Sequence, residues 1–229
     1  MSLLNEHRAR PRASYAGRKR ENMIKLYKLT DSCGKTMNGT QWGPGVSHSG
    51  TGEGELCGPG WIHAYEHPLV AVLMNPIHAD FKPNPRLWEA EGEIAIRDGQ
   101  LKCGCKTLTT IREIPLPEIT EEMRARFAIL CAQHVCLRTC STWKAWADKW
   151  LSGEDRSVEA AKAAAWASYD AAAWAAEAVA AAAYRPSWAA KAAAWAAEDA
   201  AAAVYRASWG KCCGMDLAAI AEKACSGLR

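Results

Sequence analysis

The chain has 229 residues, 49% of them hydrophobic and 23% charged. That is long enough for one large domain or two small ones, and too apolar for wholesale disorder. A formal net charge of +3 is too small to argue for nucleic acid as a partner of the whole protein, and ten cysteines in this length fall below the density of a secreted disulfide scaffold. No uncharged apolar run reaches the ~18 residues a membrane span needs; Glu177, Arg185, Lys191 and Glu198 interrupt the alanine tract, the closest approach to one.

Residues 1–22 read as a basic, disordered arm. Arg8, Arg10, Arg12, Arg18, Lys19 and Arg20 face a single acid, Glu6, before residue 21, with no apolar periodicity. The alternative for such an arm is contact with nucleic acid or an acidic partner.

Residues 23–117 are expected to form a β-rich domain. Met23–Thr30 is a strand candidate, Asn38-Gly39 and Asp98-Gly99 are hairpin turns, and the Gly-, Ser- and Thr-rich stretch 43–60 is loop. Pro68 opens a short apolar helix that Asn75-Pro76 ends. Along 88–97, Trp88, Ala90, Gly92, Ile94 and Ile96 alternate with Glu89, Glu91 and Glu93. A two-residue turn at Asp98-Gly99 then predicts Ile94 opposite Cys103, Gly92 opposite Cys105 and Glu91 opposite Lys106.

Residues 118–229 switch to helical spacing and read as an alanine- and tryptophan-rich helical bundle. Thr120 is the expected N-cap of a helix beginning with Glu121 and Glu122. Trp143, Trp146 and Trp150 form one apolar stripe, stopped at Ser152-Gly153. Residues 170–188 and 191–209 are identical at 14 of 19 aligned positions, so the tract is an internal repeat shifted by three heptads. Small residues let helix backbones approach while Trp174, Trp188, Trp195 and Trp209 fill the gaps, and Pro186 breaks the array. A last helix lies within 215–225.

Few motifs carry chemistry. Gly34-Lys35-Thr36 lacks the upstream glycine and the following helix of a phosphate loop. No Cys-x₂-Cys pair occurs, so Cys103 and Cys105 read as small hydrophobes on the apolar face and no metal is expected. His63 and His67 have helical metal-pair spacing, but Gly60 and Pro68 flank them, so they do not share a helix. No catalytic set is assigned; an enzyme would draw on His48, His63 or His78 with Glu89 or Glu91. The glutamates otherwise form a solvent-facing row answered by Lys102 and Lys106.

Several segments carry a resemblance. YKLT at 27–30, WGPGVSH at 42–48, ELCGPGWIHAYEHPLVAVLMNPIHA at 55–79, RLWEAEGEI at 86–94 and KTLTTIREIPLP at 106–117 make residues 24–117 resemble a domain of unknown function common in tailed-phage and prophage proteins. Residues 122–225, through RFAILCA, WLSGEDRS and their alanine content, are similar to a helical domain of immunity-type proteins encoded near toxins. The resemblance implies a phage accessory protein of the bacterial host cytoplasm that blunts host defence.

The expected fold is α+β, an antiparallel β-rich domain followed by the helical bundle. The expected function is non-catalytic, cofactor-free sequestration of a small nucleotide-like ligand, held by Trp42, His48, Trp61 and His63 from the first domain and Arg185 and Arg206 from the second. Alternatives are an immunity or inhibitor protein that covers a host or toxin protein, and a nucleotide-processing enzyme; homo-oligomerisation through the Ala/Trp helix faces is compatible with all three.

Overall fold

The computed structural model describes residues 23–81, 83–135, 141–168, 170–182, 185–207 and 215–226. It is α+β, a five-stranded antiparallel sheet in the N-terminal half followed by helices. The expected arm at 1–22, the turn at 210–214 and Trp209 lie outside the described residues.

Strand β1, Ile24–Thr30, pairs with β4, Arg86–Asp98, which pairs with β5, Lys102–Ile114. Two short strands lie against β5: β2, Ser47–Ser49, and β3, Ile62–Ala64. Tyr65, just after β3, then exchanges both backbone hydrogen bonds with Tyr27 of β1, at 2.8 and 2.9 Å. The pairing therefore runs β1–β4–β5–β3 and back to β1, and the sheet curls into a small closed barrel. Its interior holds Leu26, Trp42, Ala64, Ala90, Cys103, Cys105 and Leu108, all buried. Inward-facing Cys103 and Cys105 are thus part of this core, and among the described residues no group of histidines, cysteines and carboxylates could hold a metal ion.

The hairpin register differs from the expectation. Asp98 pairs with Lys102, leaving a three-residue loop, and Ile94 pairs with Cys105, Gly92 with Leu108 and Glu91 with Thr109. Only Gly99 takes a positive φ (53°) at this turn, whereas Asn38 and Gly39 both do at theirs. The longer loop drives Leu101 into the core, 3% exposed, and presents Gln100, whose Oε1 accepts the Leu217 amide at 2.8 Å. Burial of a leucine outweighs the preference for a two-residue turn.

Helix α1, Pro68–Leu73, has Pro68 at its first position, and α2, Asn75–His78, follows directly instead of loop. Helices α3 (Glu121–Val135), α4 (Ser141–Ser152), α5 (Val158–Trp166), α6 (Asp170–Ala182), α7 (Pro186–Ala207) and α8 (Leu217–Cys225) complete the chain. Thr120 caps α3 through the Met123 amide, and Asp216 caps α8 through Ala219. Pro186 separates the two repeat helices α6 and α7, and the expected stripe of Trp143, Trp146 and Trp150 is buried. Helix α3 is covered on nearly all sides, with Phe127, Ala128, Ile129, Cys131 and Ala132 buried, so it is the centre of the helical half. One apolar cluster runs from Leu29, Val70, Leu87 and Leu101 through Phe127 and Trp143 to Ile220.

Candidate functional site: an aromatic cleft around Lys28

Residues alternate along β1, so Leu26, Lys28 and Thr30 share the inward face while Leu29 turns toward the helices. Leu26 and Thr30 are fully buried, and Lys28 between them is 9% exposed. Its ammonium donates to the His63 carbonyl at 2.7 Å and sits 5.1 Å from the Trp42 ring centre. Among the described residues no carboxylate pairs with it. Burial lowers its pKa to about 8, against the opposing fields of Cys105 and Cys103.

Lys28 lines a cleft of about 420 Å³ at the barrel mouth, within the range of small-ligand sites. Four segments build the walls: the tight turn through Thr36 and Met37, the loop at Cys57–Pro59, strand β3 with His63 and its flanking Trp61 and Tyr65, and His78 at the end of α2 with Phe81 after it. The turn is held by Asn38 and Gly39 in left-handed conformations, and Trp42 is fixed behind it by Nε1 donating to Thr36 Oγ1 at 3.0 Å. The covering loop folds over itself at Gly50 and Gly60. A Cβ on Gly60 would strike the Glu53 carbonyl, and one on Gly50 the Gly60 carbonyl.

Tyr65, His78 and His63 are among the polar residues that line this space besides Lys28. The Tyr65 hydroxyl and His78 Nδ1 are 3.2 Å apart, with their rings stacked. His78 Nε2 is buried and has no hydrogen-bond partner among the described residues. Burial, then the fields of Lys102 and His63, lower His78 to about 3, and burial holds the Tyr65 phenol above its ordinary range. Both groups are therefore neutral at pH 7. Burial also lowers His63, whose Nε2 is bonded to the Leu56 carbonyl. At the rim, Lys102 Nζ donates to Cys57 Sγ at 3.2 Å. The cleft thus offers one buried cation, aromatic walls and a neutral donor–acceptor pair.

The chain matches no protein-family profile, no curated protein and no solved structure. Any functional reading rests on these residues and their geometry.

Of the six residues expected to bind ligand, Trp42, Trp61 and His63 line the cleft. His48 stands behind it, edge-on to Trp42 with ring centres 4.7 Å apart and Nε2 2.8 Å from the Gln41 carbonyl. Arg185 does not line the cleft. Its guanidinium packs over Trp188 at 5.2 Å, beside a half-buried cluster in which Trp174 and Trp195 are 4.8 Å apart and Trp188 and Trp195 5.4 Å apart. Arg206 belongs to α7, but its side chain lies outside the described residues.

Glu89, weighed as an acid–base partner for the histidines, is held instead by Lys25 at 3.1 Å and Arg112 at 2.8 Å on the opposite face of the sheet, not by Lys102 or Lys106. Lys28 and Tyr65 were missed as site residues. The signal for Lys28 was available, since period-two counting in IKLYKLT puts it on the face of Leu26 and Thr30. For Tyr65 there was none, because its place depends on a bridge between positions 38 residues apart in sequence.

Proposed function

We propose that this cleft binds and sequesters, without turnover, a small planar anionic ligand of the nucleotide class. The observation that carries the reading is the buried Lys28 ammonium over the Trp42 ring in a cleft of ligand size. A planar base would stack against the indoles while Lys28 meets the negative charge. His48 and His63 have ring nitrogens committed to backbone carbonyls, and Glu89 is turned away, which favours holding over hydrolysis. In the setting that the phage resemblance implies, the ligand is a nucleotide signal of host defence and the protein removes it in the bacterial cytoplasm. Among the described residues no helix is long and apolar enough to cross a membrane.

Tryptophan fluorescence against a panel of adenine nucleotides tests the reading. Binding is expected, with ligand recovered unchanged after denaturation and affinity reduced by about tenfold to a hundredfold in Lys28→Met, the loss of one charge-assisted contact. Absence of binding across the panel would overturn it, and an altered product would favour the enzyme. A second reading, a surface that covers a host or toxin protein or a second copy, has Trp166 in its favour, an indole 91% exposed on α5. It predicts a stoichiometric complex lost in Trp166→Ser.

A further inference from the structure

We propose that Lys28 is a nucleophile and that the cleft captures a carbonyl-bearing ligand, a small aldehyde or ketone, as an imine on its amine. The inference rests on the binding reading, because the carbonyl compound must first occupy the same cleft.

Lys28 differs from the other lysines whose partners are shown. Lys25 pairs with Glu89, and Lys102 bonds Cys57 at the rim. Lys28 meets only neutral groups, a backbone carbonyl and an indole face, and is the most deeply buried of the three. An amine with no role beyond joining β1 to β3 is poorly suited to this place. Burying an ammonium without a counter-ion is costly, and methionine fills the same volume with no such cost. The position is intelligible if the amine has to be reactive. A desolvated amine gives up its proton readily and attacks carbonyls in the neutral form. Burial brings it to about 8, so about a tenth of it is neutral at pH 7.

The polar pair that lines the same cleft supplies what the reaction needs. Lys28 Nζ adds to the carbonyl carbon, forming a C–N bond and a carbinolamine after one amine proton moves to the oxygen. The C–O bond then breaks, and the oxygen leaves as water with the second proton, giving the imine. No oxidant or reductant is consumed. Proton transfer to the departing hydroxyl requires a donor beside it, and Tyr65 and His78 face the cleft together. With the Tyr65 hydroxyl donating to Nδ1, His78 carries its proton on Nε2, the buried atom that has no hydrogen-bond partner among the described residues.

The test uses pyridoxal 5′-phosphate, a planar anionic aldehyde, as the carbonyl probe on the full chain at pH 8, with borohydride to reduce any imine to a stable amine. Peptide mapping of the native protein is expected to place the label on Lys28, at a rate about tenfold or more above that of exposed lysines. Lys28→Arg should lose that label while exposed lysines keep theirs. Label confined to exposed lysines, with Lys28 unmodified in the folded chain, overturns the proposal. AMP binding without label on Lys28 overturns the imine and leaves the binding reading standing. Label on Lys28 without AMP binding upholds the imine and removes the nucleotide.

Discussion

The barrel and the helices bury side chains in opposite ways. The helical half is closed by methyl groups, with Ala176, Ala180, Ala192, Ala196 and Ala200 fully buried and tryptophans set between them. Trp143 Nε1 donates across helices to the Ala172 carbonyl at 2.8 Å, while Trp146 Nε1 and atoms of Glu121, Arg124 and Arg126 are buried without a hydrogen-bond partner among the described residues. The barrel places a lysine, a tyrosine and a histidine around a space that the protein does not fill. Uniform packing of small residues stabilises, whereas incompletely matched polar groups cost stability and leave chemistry available. The cleft lies at the barrel, while an apolar cluster shared with the barrel fills the helical half.

The largest effect that tests this contrast is loss of a helix-core indole. Trp143→Ala should cost about 3–5 kcal/mol, the usual toll for a fully buried tryptophan, and chemical denaturation should show a single transition, since one apolar cluster joins both halves. At temperatures where the variant is folded, ligand affinity should be unchanged. Two separate transitions would break the picture of a shared core.

Lys28→Met should act with the opposite sign. Lys28 has a lower pKa folded, about 8, than unfolded, 10.5. Between those values the unfolded chain binds more protons, so stability rises with pH and is lost as pH falls toward 8. Removing the amine should raise stability by about 2–3 kcal/mol at pH 7 and flatten that rise, while abolishing the label and weakening ligand. His78 shows the acid counterpart. Its folded pKa of about 3 lies below the ordinary 6.5, so its stabilisation is complete above 6.5 and falls away toward pH 3, and His78→Asn should shallow that acid limb.

Gly60→Ala should cost about 1–3 kcal/mol, since the new methyl strikes the Glu53 carbonyl. Its ligand affinity should fall together with loop order, read by proteolysis between residues 50 and 60. The smallest effect belongs to Arg185→Ala, about 0.5 kcal/mol from one cation–π contact, with no change in affinity. A large loss of affinity there would return the ligand to the helical half.

Much of the architecture was legible because it is written at short range. The cap at Thr120, the break at Pro186, the stop at Gly153 and the indole stripe of α4 each depend on neighbours within a turn or two. The aromatic part of the cleft was partly legible, since Trp42, Trp61 and His63 stand in the loop-rich stretch expected to carry function. Arg185 looked equally suitable beside its tyrosine, and nothing local revealed that its guanidinium is used on Trp188.

The sequence by itself determined the long hairpin strands, the helix starts and stops and the parity of Lys28, because periodicity and capping are properties of adjacent residues, whereas β2 lies inside the stretch expected to be loop. Tertiary structure alone decided the hairpin register, through burial of Leu101, and the closure of the sheet, through Tyr27 and Tyr65. It also brought Lys28, Tyr65 and His78 to one cleft. Those outcomes depend on burial and on pairing between distant segments, which compete across the whole chain and leave no mark at any one position.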